Sequence, residues 1–451
     1  MSISVKKTDV IIIGGGWAGL SAAIKLSEQG KNICIIESAK QLGGRAREVN
    51  YHQYTVDNGT HIMVGAYTET LDLIKKVNTL DKNNSTWNES DILERQGLNL
   101  SYMQSDKSNI KLPCISLPSP FNIAFSFLLA KGLNLSDKLR ILFFGLKIKL
   151  ELITLKTDLD LESFLTQHNQ SSITIKNIWE PLCLAIMNTP IDQASAEVFL
   201  TVLKDAFFKS KSASDLIFFK RNLSETFPVP AQQYLETCNG VIELNQKAIS
   251  IKKEENEYVV RTKTTNFQAK HIIIATTPGA AVSLLSNLDT GCKLNNLISN
   301  LNTFTYQPIC TIYLKYPESI QCQEIMQGFL GTTTQWMFDK NLTNQPGLVS
   351  IIISSQGCHL EMDNKTLINN ITHELAQFHP GWPQPVDAFV IREKRATFTA
   401  SVNINRIRPP NKTDINNIWL AGDYTATQYP ATLEGAVRSG QQCAQQILSE
   451  F

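Results

Sequence analysis

The residues best placed to do chemistry begin with Glu37, a carboxylate 18 positions beyond the last glycine of Gly14-Gly15-Gly16-Trp17-Ala18-Gly19. An apolar run at 9–13 leads into the glycines, and a second at 32–36 leads into Glu37. The order is strand, glycine turn, helix to about Gln29, strand, acid, the full context of a dinucleotide-binding fingerprint. Gly14 makes the tight turn, Gly16 lets backbone approach a pyrophosphate, and Gly19 lets helix and strand pack closely. The phosphate then meets the positive helix N-terminus. Glu37 can accept hydrogen bonds from ribose hydroxyls and would repel a 2′-phosphate, which disfavours NADP. A glycine-rich turn without ligand is the bland alternative, and the surrounding strands and acid argue against it.

One βαβ unit holds half of a large cofactor, and three further segments suit the other half. Gly43-Gly44-Arg45 pairs close backbone approach with a guanidinium fitted to pyrophosphate; its plain reading is a surface turn. The apolar run 418–420 ends in Ala421-Gly422-Asp423, a carboxylate suited to ribityl hydroxyls and a flavin ring edge. A helix to Leu448 follows, entered through Leu433-Glu434-Gly435. The third segment is a buried strand at 272–274 that turns at Pro278.

The elements that must position these residues belong to a chain of 451 residues, long enough for two domains. Forty-two Lys and Arg against 41 Asp and Glu give a net charge of +1, so no global field points to nucleic acid. Nine cysteines without CxxC or Cys/His clustering argue against a disulfide framework or a metal site. The absence of a signal-like h-region, and of any run approaching a membrane span, leads to the expectation of a cytoplasmic protein.

A polar stretch at 83–86 suggests the end of the first segment. Residues 121–155 are rich in Leu, Ile and Phe with Lys138, Arg140, Lys147 and Lys149 interspersed. They read either as a membrane-surface element, on the inner face of the cytoplasmic membrane, or as core helix with snorkelling lysines. Alternation from 146 to 152 even permits a strand, and Ser136-Asp137 offers a helix cap. Helical pattern spans 176–203 with a break at Asn188-Thr189-Pro190. Strands are expected at 241–251, 258–262, 271–275, 309–314 and 348–354, with the charge run 252–257 as a solvated turn, and an amphipathic helix at 364–378.

The glycines, Glu37, Gly43-Gly44-Arg45, Asp57-Asn58-Gly59-Thr60-His61 and Ala421-Gly422-Asp423 resemble the glutathione-reductase-type FAD proteins of the amine oxidase and carotenoid desaturase superfamily. Residues 57–67, Trp179-Glu180-Pro181 with Asn188-Thr189-Pro190, 392–398 and 430–436 resemble, more closely, the squalene-associated FAD-dependent desaturases, the hydroxysqualene dehydroxylases of hopanoid and squalene biosynthesis. The resemblance covers most of the chain, least between 290 and 390.

It implies an α/β flavoprotein. A discontinuous FAD-binding domain of Rossmann type takes 1–80, 225–290 and 400–451; a mixed α+β substrate domain takes 81–224 and 291–399. Contacts to FAD are implied for Gly14, Gly16, Trp17, Ala18, Gly19, Glu37, Gly43, Gly44, Arg45, Ala248, Gly422, Asp423, Leu433 and Glu434. The implied reaction replaces the hydroxyl of hydroxysqualene by hydride from reduced FAD; loss of water from an allylic alcohol leaves a delocalised cation that an apolar pocket protects from water. His61 or Glu180, the latter beside Trp179 in an apolar helix, could protonate the leaving hydroxyl, although a cap and a salt bridge are their plainer roles.

Three rivals remain. A carotenoid or phytoene-type desaturase would run the flavin in the oxidising direction. An amine oxidase would carry an aromatic residue where Thr432 stands, and Cys443 lies outside any tethering motif, so a covalent flavin is not expected. A non-catalytic isoprenoid-binding flavoprotein would keep the fingerprint alone. The lack of a second GxGxxG leaves the electron donor unknown.

Overall fold

The computed structural model describes residues 5–79, 87–104, 109–288 and 292–451. The polar stretch at 83–86 lies outside them. The β-branched runs at 10–13, 33–36 and 271–274 are buried on both faces, as strands of a parallel sheet must be. Val10, Ile11, Ile12 and Ile13 pair in parallel with Ile33 to Ile36 on one side and with His271 to Ile274 on the other. Val241–Glu243 adds the outer strand beyond Ile33–Ile36, and Ile418–Leu420 pairs with the C-terminal half of Asn266–Ile274. The other half of that long strand turns antiparallel, with Glu257–Arg261 and Ser250–Glu254 forming a meander. The expected turn at 252–257 is thus mostly strand, and only 255 and 256 make the bend.

Helix Trp17–Glu28 and helix Leu433–Leu448 pack side by side over this sheet. Gly440 is the contact point, since a Cβ there would lie 2.2 Å from the Ala18 carbonyl oxygen. Sequence positions 422 apart are therefore brought together by one small residue.

A second seven-stranded sheet runs, from one edge, through Asp387–Phe398, Tyr306–Lys315, Leu348–Ser354, Trp336–Asp339, Met326–Leu330, Leu100–Gln104 and Ile110–Leu112. It is antiparallel apart from the Met326–Leu330/Leu100–Gln104 pair. Helix Asn364–Phe378, matching its amphipathic pattern, covers one face. A three-stranded sheet joins Met63–Val64, Leu216–Phe219 and Leu93–Gln96.

Helices Phe121–Leu129, Leu135–Lys149, Glu180–Met187 and Ala196–Phe208 complete the second half of the molecule. The alternation at 146–152 is helix to Lys149 and turn beyond it, not strand. The cap of that helix is Asn134, whose side chain accepts from the Asp137 backbone N–H, rather than Ser136. The break at Asn188 is real: its left-handed backbone, φ 48°, ends the preceding helix.

Candidate active site

The glycine turn is built by exclusion of side chains. Gly14 sits at φ +111°, and a Cβ there would lie 2.6 Å from the Ala275 carbonyl oxygen. A Cβ on Gly19 would lie 2.0 Å from the Gly14 oxygen. Neither position accepts any other residue. Gly16 differs: a Cβ there meets nothing closer than the Gly44 Cα at 3.9 Å, and Gly16 lines a cavity. It is also the N-cap of helix Trp17–Glu28 and offers no side-chain cap, so the first N–H groups are left for an anion. These features fit the pyrophosphate of a dinucleotide.

The second glycine turn is tied to the first. Gly43 N–H donates to the Gly15 carbonyl at 2.8 Å, and the Trp17 indole donates to the Ala46 carbonyl at 3.0 Å while its ring packs on Phe227. Glu37, buried at the end of its strand, accepts from Gly15 N–H and Ala39 N–H, both at 2.7 Å. It holds the glycine turn in shape as well as presenting a carboxylate there. Ala248 is half-buried on the segment whose Gln246 N–H donates to the Glu37 carbonyl at 2.8 Å.

Arg45 and Asp423, 378 residues apart, form an ion pair at 2.6 Å. Arg45 also donates to the Ala396 carbonyl, which joins the nucleotide sheet to the second sheet. The neighbouring Asp423 carboxylate raises the guanidinium pKa further. Arg408, which no sequence spacing singled out, fixes the loop carrying Asp423 from below. Buried, it donates to the carbonyls of Asp423, Thr425 and Tyr429 and to the Thr427 hydroxyl. Burial lowers its pKa to about 10, still well above neutrality.

A single cavity of about 370 Å³ runs from this cradle into the second half of the molecule. Gly16, Trp17, Ala18, Gly43, Arg45, Gly422, Asp423 and Leu433 line one end. Leu98, Leu100, Leu182, Leu184, Ile186, Ile309, Met326, Trp336, Phe338 and Ile352 line the other. Asn58 to Ile62 line the same cavity.

His61 Nδ1 lies 2.7 Å from the Gly59 carbonyl oxygen. A carbonyl can only accept, so Nδ1 carries the proton and Nε2 of the neutral ring is an acceptor. Burial lowers the pKa, and the positive Lys340 and Arg45 add to the effect, so the ring is neutral near pH 7. Glu393 also lines the junction; Asn58 Nδ2 donates to it at 3.3 Å. It came from a strand 335 residues away and carried no signal of its own.

Other expected site residues lie elsewhere. Glu180 is not among the lining residues, although burial raises its pKa; Glu162, Lys176 and Asp192 surround it, and Leu182, Leu184, Ala185 and Ile186 of the same helix line the cavity instead. Glu434 is fully buried and committed to Thr70 and to Arg438 at 2.8 Å. Thr432, in the place of an amine oxidase's aromatic residue, lines the cavity and caps helix Leu433–Leu448 through Gly435 N–H. Cys443 is buried outside the cavity lining, its thiol pKa pushed up by burial. No cluster of three or more His, Cys, Asp or Glu suited to a metal occurs among the described residues.

The sequence profile of the flavin containing amine oxidoreductases matches residues 17–448. The chain belongs to that family. It is an FAD-dependent oxidoreductase, and the residues of the cradle just described are chemically suited to a dinucleotide. The chain is 25% identical over 456 residues to a hydroxysqualene dehydroxylase of Zymomonas mobilis subsp. mobilis, covering 97% of this chain and 98% of that one. It is 22% identical to a 15-cis-phytoene desaturase of an Oncidium hybrid cultivar, covering 99% of this chain and 78% of that one. Its fold matches a solved structure of putrescine oxidase bound to putrescine, with a TM-score of 0.72 at 13% identity over 99% of this chain and all of that one.

Proposed function

We propose that the protein reductively removes the hydroxyl of hydroxysqualene, giving squalene for squalene or hopanoid biosynthesis. The observation that carries this reading is the single cavity in which an apolar chamber continues directly from the cofactor cradle, with His61 and Glu393 at the junction. FAD, when bound and reduced, supplies the hydride.

The chain's own residues supply the rest. Leu98, Leu182, Trp336 and Phe338 hold the hydrocarbon and keep water from an allylic cation. Neutral His61 accepts a hydrogen bond from the substrate hydroxyl and orients it. That hydroxyl departs as water with one proton taken up from solvent, and Glu393, also at the junction, is the carboxyl group placed to relay it. The carbon–oxygen bond breaks, a carbon–hydrogen bond forms, and one proton is consumed. Glu180 is not needed in this scheme. FAD contacts are assigned to the cavity-lining Gly16, Trp17, Ala18, Gly43, Arg45, Gly422, Asp423 and Leu433, with Glu37 and Ala248 toward the ribose and adenine. The two-domain division stated for the sequence, a cytoplasmic location and an electron donor external to the chain belong to the same reading.

The relatives named hydroxysqualene dehydroxylase support it. The test is anaerobic mixing of reduced FAD-loaded protein with hydroxysqualene. Flavin reoxidation with equimolar squalene is expected, and neither appearing would overturn the reading. Conversion of phytoene by the oxidised protein would assign a desaturase instead.

A further inference from the structure

Among the described residues, the exposed large apolar side chains are concentrated on one helical hairpin. Helix Phe121–Leu129 exposes Phe121, Phe125, Leu128 and Leu129. Helix Leu135–Lys149 exposes Leu135, Leu139, Phe143 and Leu146 at helical spacing, continued by Leu150 and Leu152, while its opposite stripe of Ile141, Phe144 and Ile148 is buried. A core helix would not leave Phe143 60% exposed. Soluble monomers seldom carry so continuous an apolar face.

The rim of this face is cationic. Residues 121–156 hold six Lys and Arg against two acids, and one of the two, Asp137, is buried, whereas the whole chain is nearly neutral. Lys147 Nζ sits 4.7 Å from the Phe143 ring centroid, and Lys138 Nζ donates to the Leu128 carbonyl, so ammonium groups border the apolar stripes. Two copies meeting through this face would bring like-charged rims together. An anionic bilayer surface complements both the apolar stripes and the rim. No helix among the described residues is long and apolar enough to cross a membrane, so the attachment is to one leaflet.

The buried side of the same hairpin adjoins the cavity. Asn122, Ile123 and Ser126 line a small crevice together with Leu98 and Ser214, and the latter two also line the main cavity. We propose that the 121–152 hairpin docks the protein onto anionic lipid bilayers. The adjoining crevice then lies directly behind the docked face, on the side from which a lipid substrate reaches the cavity. That last consequence rests on the proposed function, whereas the docking does not.

Flotation of the FAD-loaded protein with vesicles tests the docking directly. Wild type should float with vesicles of mixed phosphatidylcholine and phosphatidylglycerol, lose binding as salt is raised, and bind pure phosphatidylcholine at least tenfold less. Leu139→Ser/Phe143→Ser/Leu146→Ser should lower binding to the anionic vesicles at least tenfold with unchanged flavin content, and Lys138→Glu/Lys147→Glu should act alike with the apolar face intact. Phe144 is left alone because it is core. Equal binding by wild type and both variants, or no binding by wild type, would overturn the proposal. So would a dimer in sedimentation that the triple variant dissolves, because the face would then be covered by a second copy. Since flotation needs no turnover, failure of the dehydroxylase reading would leave this result standing.

Discussion

The two ends of the cavity are made in opposite ways. At the cradle the walls are backbone: a single added carbon at Gly14 or Gly19 would drive into a carbonyl oxygen at 2.6 or 2.0 Å. At the apolar end the walls are side chains from many segments, Leu98, Leu184, Val202, Ile309, Phe338 and Ile352 among them, and no one position is dictated by backbone geometry. The cradle therefore specifies residue identity and the chamber specifies only shape and polarity. A chain can keep the first and redraw the second, which is how one cofactor fold serves amines and isoprenoids alike.

That contrast should show first in Gly19→Val. Its branched side chain has to displace the Gly14 carbonyl, and overpacking against backbone costs about 3 kcal/mol or more. The purified variant should be colourless and melt well below wild type. A yellow variant of unchanged Tm would mean that the cradle tolerates shape change as the chamber does.

Next in size comes a pH effect confined to the nucleotide sheet. His271, fully buried in strand Asn266–Ile274, has its pKa lowered to about 4 by burial, with Lys270 adding to the effect. The free imidazole titrates near 6.5, so between these values the unfolded chain takes up the proton and the folded one does not. The stability contributed by neutral His271 is complete above about pH 6.5 and is lost as the pH falls through about 4, an effect of roughly 2 to 3 kcal/mol. Chemical denaturation between pH 7 and 4 should show this descent, and His271→Leu should flatten it. An equal slope in the variant would place the acid sensitivity elsewhere.

Arg45→Ala should cost somewhat less, about 2 kcal/mol. It leaves the buried Asp423 carboxylate without its cation, but Arg45 is itself a third exposed, which tempers the loss. Flavin retention should fall with Tm, and Arg45→Lys should recover only part of it, because a single ammonium cannot reach both Asp423 and the Ala396 carbonyl.

What was legible in the sequence follows the same division. Gly14 to Gly19, Glu37 and the helix ending at Leu448 were readable because backbone strain and strand period demand particular residue types at fixed spacing. The Arg45–Asp423 pair was half legible: each residue stood in a recognisable turn, but nothing local says that they meet. Glu393 and Arg408 left no trace, since their importance arises from contacts across the fold. Glu180 was singled out by its place beside Trp179 in an apolar helix, and an apolar neighbourhood alone does not say which face of that helix, entered through the π-helical turn Ile175–Trp179, meets the cavity. The hairpin at 121–152 stayed open because it is apolar on both faces, and only the tertiary structure shows which stripe is covered.

The smallest effect on the protein should come from the chamber, and it is the one that isolates it. Ala185 lines the cavity on the same helix as Leu182 and Leu184, and an indole there has space to enter rather than backbone to displace. Ala185→Trp should keep its yellow colour and its Tm, because no cradle contact changes, while KM for hydroxysqualene rises about tenfold, about 1.4 kcal/mol of lost hydrocarbon binding. The rate of flavin reoxidation at saturating substrate should change less than KM, since His61 and Glu393 stay in place at the junction. A variant that lost flavin would show the two ends to be mechanically coupled; one with unchanged KM would show that the substrate does not lie along Leu182–Ile186, and the hydrocarbon would then have to run toward Trp336 and Phe338 instead.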